Sequence, residues 1–357
     1  MRRRAFLATL GAMAAGPLRG AEIVYPAVRP GVVVLAFPRD HGAHPDYRIE
    51  WWYVTGWLST GAGEELGFQV TFFRTRTAYG GENPSAFAPR QLMLAHAALA
   101  DPKLGRLRHA ERAARVALGI AGMQEDTTRV WIDAWRLELL GERYRTVVAG
   151  RDFSLDLAFD ASGPPLLQGT NGVSRKGPRE SEASFYYSRP RLSVSGTIER
   201  GAGPEAVRGQ AWLDHEWSSQ YMAAGASGWD WIGINLDDGG ALMAFRMRGK
   251  GGGVLYAGGT HQRPDGSRVA FGPRDVEFTP LRHWRSSRSG TEYPVAMQVR
   301  AGDSAWRIEP LFDDQELDSR ASTATIYWEG AVRVQREGKP AGRGYLELTG
   351  YWRPMRI

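Results

Sequence analysis

From residue 51 onward, apolar and polar positions alternate with a period of two, the mark of strands that bury one face. Residues 51–58 and 66–74 predict two such strands, and the Gly-rich stretch 59–64 predicts the turn of a hairpin between them. Further strands are predicted over 91–99, 128–135 and 153–159. A second series follows over 209–214, 230–236, 241–248, 253–262, 296–300, 306–310, 326–334 and 344–352. Asp237-Asp238-Gly239-Gly240 and Pro264-Asp265-Gly266 supply turn chemistry between them. Helical periodicity is weak. Its best stretch is 106–120, where the Ala and Leu spacing predicts one short helix. Regularly spaced strands without intervening helices predict an all-β chain of antiparallel barrels or sandwiches. A barrel of about eight strands leaves room for one small ligand.

The 357 residues allow one large domain or two ordinary ones. The turn-rich stretch Arg200-Gly201-Ala202-Gly203-Pro204 marks the expected boundary. It gives a first barrel over 21–200 and a second, in tandem, over 201–357. A weak echo of Glu50-Trp51-Trp52 in Glu216-Trp217 suggests that the halves are related.

The first 20 residues read as an address. Arg3-Arg4-Ala5-Phe6-Leu7 precedes a short Ala-rich apolar run and resembles a twin-arginine export signal, with cleavage expected near Gly16 or Gly20. The run is short of the roughly 20 residues that span a bilayer. The expected location is periplasmic or secreted; the alternative is a cytoplasmic protein with a basic start. The formal net charge is +6, but four Arg without any acid fall in residues 1–20, which leaves the remainder near +2. The other charges alternate in sign, so no nucleic-acid footprint is expected. No further apolar segment is long enough to cross a membrane as a helix. The sequence has no Cys, which excludes disulfides and thiolate chemistry.

Three clusters carry candidate chemistry. The densest is Trp212-Leu213-Asp214-His215-Glu216-Trp217, followed by Tyr221 and by Gly228-Trp229-Asp230-Trp231. On a strand, Asp214 and Glu216 share one face, and His215 and Trp217 share the other. A carboxyl set among apolar rings holds its proton more tightly, which suits a general acid. The alternative is structural, with Trp N–H groups bonded to carboxylates at a barrel end. The second cluster joins 168–172 to Ser184-Phe185-Tyr186-Tyr187-Ser188. In the third, His41, His44 and Glu50 invite a metal reading, but Gly42 and Pro45 predict a loop in which Glu50 pairs with Arg48 and His44 caps a turn. His96 lies in an apolar strand, either as a satisfied core histidine or as a pocket residue. The chain has no Gly-x-Ser-x-Gly, His-Glu-x-x-His or phosphate-loop motif.

His44-Pro45, Glu50-Trp51-Trp52-Tyr53-Val54-Thr55-Gly56 and Ala211-Trp212-Leu213-Asp214-His215-Glu216-Trp217-Ser218-Ser219-Gln220 together resemble the AttH family. So do Gly228-Trp229-Asp230-Trp231, Tyr327-Trp328-Glu329-Gly330 and 344–351. The resemblance implies two lipocalin-like barrels and kinship with bacterial carotenoid 1,2-hydratases, which add water to a C=C bond without a cofactor. It also implies a possible neighbour, since some members are encoded beside ABC-transporter permeases. The hydratases share a His-x-Trp step, matched by His215 and Trp217. They also use an Asp closely preceded by a Tyr; the comparable stretch here, 241–246, has neither. The acid is therefore expected from Asp214, Glu216 or Asp230.

The expected function is enclosure of an apolar, lipid- or terpenoid-like molecule, with cofactor-free hydration or isomerisation of a C=C bond. Asp214, His215 and Glu216 are the expected catalytic residues. Glu50, Trp52, His96, Trp217, Tyr221, Trp229 and Trp231 are the expected ligand-binding residues. No metal and no cofactor are expected. The rival readings are a periplasmic carrier or transporter accessory, and a hydrolase.

Overall fold

The computed structural model describes residues 24–355 apart from 80–82, 86 and 202; the export signal expected over 1–20 lies outside the described residues. The first half contains β1 (Ile49–Thr60), β2 (Glu65–Arg76), β3 (Gln91–Asp101), β4 (Arg106–Arg115), β5 (Ala121–Met123), β6 (Arg129–Ile132) and β7 (Trp135–Leu140). It continues with β8 (Arg143–Ala149), β9 (Ser154–Asp160), β10 (Leu166–Leu167), β11 (Val173–Arg175), β12 (Ala183–Glu199) and β13 (Pro204–Ser218). The second half contains β14 (Ala226–Leu236), β15 (Ala241–Gly249), β16 (Val254–Gln262), β17 (Arg268–Phe271) and β18 (Val276–Arg285). Then come β19 (Glu292–Ala301), β20 (Ser304–Pro310), β21 (Glu316–Ser319), β22 (Thr325–Arg336) and β23 (Lys339–Leu348).

The first antiparallel sheet runs β4-β3-β2-β1-β13-β12-β9-β8-β7-β6-β5, with β10 and β11 added on β12. It curls until β3 and β4 pack against β6. The second runs β17-β16-β15-β14-β23-β22-β20-β19-β18, with β21 on β22, and β18 returns against β15 and β16. The protein is thus all-β, with two lipocalin-like barrels in tandem and no α-helix among the described residues.

Some expectations are corrected. Residues 106–115 form strand β4, paired with β3 from Leu92↔Arg115 to Asp101↔Arg106; this ladder overrides the helix preference of the Ala residues. The strand expected over 128–135 is a hairpin, because Asp133 turns the chain at φ 52° between β6 and β7. β12 and β13 are paired neighbours in one sheet, so the chain passes to the second barrel at 219–225, not at 200. The echo was also misplaced: Glu50↔Trp217 and Trp51↔Glu216 are partners across one ladder. The repeat lies elsewhere. Glu50↔Arg74 and Asp230↔Arg246 hold the same place on the first two strands of each half, and each acid is followed by a Trp. In both halves the first strand pairs with the second and the last.

Each barrel interior is filled. Trp52, Phe68, Phe72, Leu99, Phe159 and Tyr187 belong to the first core, and Trp306, Trp328, Ile232 and Met297 to the second. A third cluster, with Tyr53, Trp57, Tyr186, Trp212, Trp231 and Tyr345, packs the outer face of one barrel on the other. The docking is specific: Trp57 Nε1 donates to the Gly344 carbonyl at 3.1 Å, and Asn235 Nδ2 to that of Ala211 at 3.2 Å.

Candidate functional site between the barrels

Strand β13 divides the expected catalytic residues between two environments. Its inward face carries His215 and Trp217, which join the first core with Trp52 and Glu50. Glu50 is wholly buried. Its Oε1 accepts from His44 Nδ1 at 2.8 Å and His215 Nε2 at 2.9 Å, and its Oε2 from Arg74 Nε at 2.9 Å. Burial alone would raise this carboxyl. The Arg74 charge and the two imidazole bonds instead hold it well below the usual carboxylate range. Trp217 stacks on His44 at 3.6 Å, and Trp52 on His215 at 4.8 Å.

His44, Glu50 and His215 place their ligand atoms within 4.8 Å of one another, a spacing a metal would accept. The donor set does not suit one: both carboxylate oxygens are already engaged, and the Arg74 guanidinium repels a cation. His41 joins the cluster through Tyr187, whose Oη lies 2.8 Å from His41 Nδ1 and 3.2 Å from His215 Nδ1. The cluster ties residues 39–48 to the barrel. Arg74 also donates to the carbonyls of His44 and Tyr47, and Thr128 to that of His41.

The outward face of β13 carries Asp214 and Glu216 into a cavity of about 300 Å³ between the barrels. The first barrel contributes Ile49, Trp51 and Tyr53 from β1, Phe73 from β2 and His96 from β3. The second contributes Trp229 and Trp231 from β14, Tyr327 and Glu329 from β22, and Glu347 from β23. Tyr221, from the segment joining the barrels, completes the aromatic wall. Glu50 and Arg74 border the same cavity with their charged ends bonded to each other.

Four carboxyls face this cleft, three buried and Glu347 half-buried, each in a different setting. Asp214 accepts from Trp212 Nε1 at 2.6 Å, Tyr186 Oη at 2.7 Å and Ser188 Oγ; Trp231 Nε1 donates to the same Tyr186 oxygen at 3.1 Å. Burial outweighs these donors and pushes Asp214 up to about 7. Glu216 is raised by burial against the pull of Lys176, whose Nζ lies 2.8 Å from it, and of Ser184. Burial in turn lowers Lys176, which sits over Phe245 at 4.2 Å and Tyr186 at 4.8 Å. Glu347 is pushed up to about 7 by burial, against a bond from Trp229 Nε1 at 2.8 Å. Glu329 is raised well above the usual range by burial and by Glu347, its partner across the β22–β23 ladder.

The interior ligand site expected from the sequence is therefore relocated. Asp214, Glu216, His96, Tyr221, Trp229 and Trp231 come together in the cleft. His215, Trp217 and Trp52 belong to the barrel interior, with His215 bonded to Glu50 and turned away from the cleft. Asp230 is also inside a barrel, held by Arg246 and Arg248 at 2.5 and 3.0 Å. His96 meets both of its expected descriptions: it lines the cleft and is satisfied by Tyr327 Oη and Ser322 Oγ, each at 2.8 Å. The structural alternative for Trp beside acid is realised too, at Trp212–Asp214 and Trp229–Glu347.

Sequence reasoning passed over Tyr53, Glu329 and Glu347. The available signal was an acid in phase with aromatic residues, as in Tyr327-x-Glu329 and Tyr345-x-Glu347.

Fold and site together define a tandem-barrel protein whose ligand-sized cavity lies between its barrels and is lined by protonatable carboxyls and aromatic rings. The chain belongs to the AttH-like family, whose profile matches residues 27–351. A crystal structure of an AttH protein from Nitrosomonas europaea is 51% identical, with a TM-score of 0.86; the match covers 92% of this chain and 100% of that one. Kievitone hydratase from Nectria haematococca shares the fold at 14% identity and a TM-score of 0.69, over 92% and 97% of the two chains. CghA does so at 12% identity and 0.55, over 92% and 95%. No curated protein matches the chain.

Proposed function

We propose that the inter-barrel cleft holds an apolar small molecule and that its carboxyls add or shift a proton on a C=C bond of that molecule, without a cofactor. The observation that carries this reading is the pair of buried Glu329 and half-buried Glu347, carboxyls on facing positions that open into an aromatic cavity. Two such groups cannot both ionise cheaply, so one retains its proton near neutral pH and serves as acid. That carboxyl gives its proton to one alkene carbon, and the rings of Trp229 and Trp231 face the cation left on the other. Water then bonds to the cation and its proton passes to a carboxylate, which completes hydration. Loss of a proton from the adjacent carbon to the same carboxylate completes isomerisation instead. Asp214, with Tyr186 and Trp231 behind it, stands across the cleft as the second acid–base group. The shared fold with kievitone hydratase makes hydration the first reaction to assay.

The residues 1–20 pattern supports export, and the location we propose is periplasmic or secreted. There a carrier role beside an ABC-transporter permease is a second reading. It is favoured by the internal donors that hold both Asp214 and Glu216, an arrangement that suits retention of a ligand as well as turnover.

The test begins with mass spectrometry of whatever co-purifies with the periplasmic protein. That molecule is then incubated with enzyme in heavy water, and deuterium on carbon is measured. Incorporation by wild type, lost in Glu347→Gln and Glu329→Gln, supports the enzyme. Tight binding without incorporation leaves the carrier, and no apolar occupant at all rejects both.

A further inference from the structure

The charges in and around the cleft are unbalanced in one direction. Asp214, Glu216 and Glu329 face it and are buried, and half-buried Glu347 faces it beside them. Among the described residues the nearby cations are already claimed: Lys176 by Glu216, Arg74 by Glu50, and Arg246 and Arg248 by Asp230. None of these is left for Glu329 and Glu347. Two polar atoms on this wall, Glu329 Oε1 and Tyr53 Oη, belong to side chains that interact with each other, yet neither has a well-formed hydrogen bond. Both residues line the cavity, Tyr53 from the first barrel and Glu329 from the second. Buried polar atoms rarely go unsatisfied, so a pair of them at a cavity wall marks where an occupant's polar group belongs. Facing carboxyls hold one proton between them more readily than two charges, which leaves a single negative charge unanswered. Around it stand Trp51, Tyr53, Tyr221, Trp229, Trp231 and Tyr327. Their ring faces attract cations.

We infer that the cleft selects an occupant carrying positive charge at the Glu329–Glu347 end: an apolar amine when bound at rest, or the carbocation formed during reaction. Apolar carboxylates and phosphates are rejected. The inference rests on the preceding reading that the cleft admits apolar molecules, and it adds a substrate class to it. Neutral molecules enter for their apolar surface alone. A molecule with an anionic head would bring a further negative charge to the four acids of the cleft, with no free cation among the described residues to meet it. An ammonium group supplies the missing counter-charge and donors for the Glu329 and Tyr53 oxygens, and it imitates the charge that alkene protonation creates. An amine of matched shape therefore binds as a mimic of the transition state.

The test uses three probes that differ only in the head group: octylamine, octanol and octanoate. Dissociation constants are measured on the full-length protein by quenching of its tryptophan fluorescence, since Trp51, Trp229 and Trp231 line the cavity. Octylamine is expected to bind about tenfold more tightly than octanol, equivalent to about 1.4 kcal/mol, and octanoate not measurably. In the double variant Glu329→Gln, Glu347→Gln the octylamine-to-octanol ratio collapses toward unity. Octanol and octylamine binding equally to wild type overturns the inference and leaves the cleft reading standing. Octanoate binding as tightly as octylamine does the same, as does a folded double variant that keeps the preference. If none of the three binds, the cleft reading itself fails and takes this inference with it.

Discussion

Asp214 and His215 are successive residues of β13, yet they act in separate compartments. Asp214 opens on the cleft between the barrels, and His215 bonds to Glu50 inside the first one. The inward network locks a loop to its barrel. The outward group is a raised carboxyl facing a cavity. The two sides respond differently to mutation.

Removing the inward carboxylate is expected to be costly. Glu50→Ala leaves Arg74 wholly buried beside two imidazoles with no anion to answer them. A loss of about 3–5 kcal/mol is expected in urea unfolding. Asp214→Asn changes stability by only about 1 kcal/mol, because the site already favours the uncharged form. Equal costs for the two substitutions would contradict the division of labour.

Stability should carry a pH signature of the cleft. Glu347 titrates near 7 in the folded chain against an ordinary value of 4.5. The folded state therefore binds more protons between those values, and this group's contribution to stability falls as pH rises through that window. Glu50 runs oppositely: its contribution is present above its unfolded value and is lost in acid. His41 and His96, lowered by burial to about 4 and about 3, also stabilise as pH rises toward 6.5. The net profile mixes these terms, so the difference is decisive. Glu347→Gln should gain stability relative to wild type as pH is raised from about 5 to about 8. Parallel profiles from denaturant titrations would refute the assignment.

Gly67 sets the spacing of the barrels. A Cβ on it would meet Ala331 Cβ at 2.6 Å and Tyr345 Oη at 2.8 Å, both across the interface. Gly67→Ala is expected to cost about 1–3 kcal/mol. Gly61→Ala, with nothing within 4 Å, should stay within about 0.5 kcal/mol. Calorimetry on the two variants checks the contrast.

Export should depend on the arginine pair. Replacing Arg3 and Arg4 with Lys is expected to leave the protein in the cytoplasm, as read by cell fractionation. Unchanged periplasmic recovery would remove the basis for the proposed location.

Much of the fold was legible because strand alternation is local. The hairpin of β1 and β2 and the strands β3, β9, β14 and β15 follow from residue pattern and turn chemistry alone. The failures share a cause. Strand β4 exists because β3 offers it a ladder, and the true crossing point at 219–225 exists because β13 pairs back to β1. Neither partner is near in sequence. The candidate site was legible in the same measure: alternation separated Asp214 and Glu216 from His215 and Trp217, while Glu329 and Glu347 lay more than a hundred residues away.

By itself, then, the sequence determined which side chains share a face, because the two-residue period is built into an extended backbone. Only the tertiary structure decided which face looks into a filled barrel and which looks across at the other barrel. That choice depends on how each sheet curls and how the two barrels dock through Trp57, Asn235 and Gly67, contacts made between distant segments.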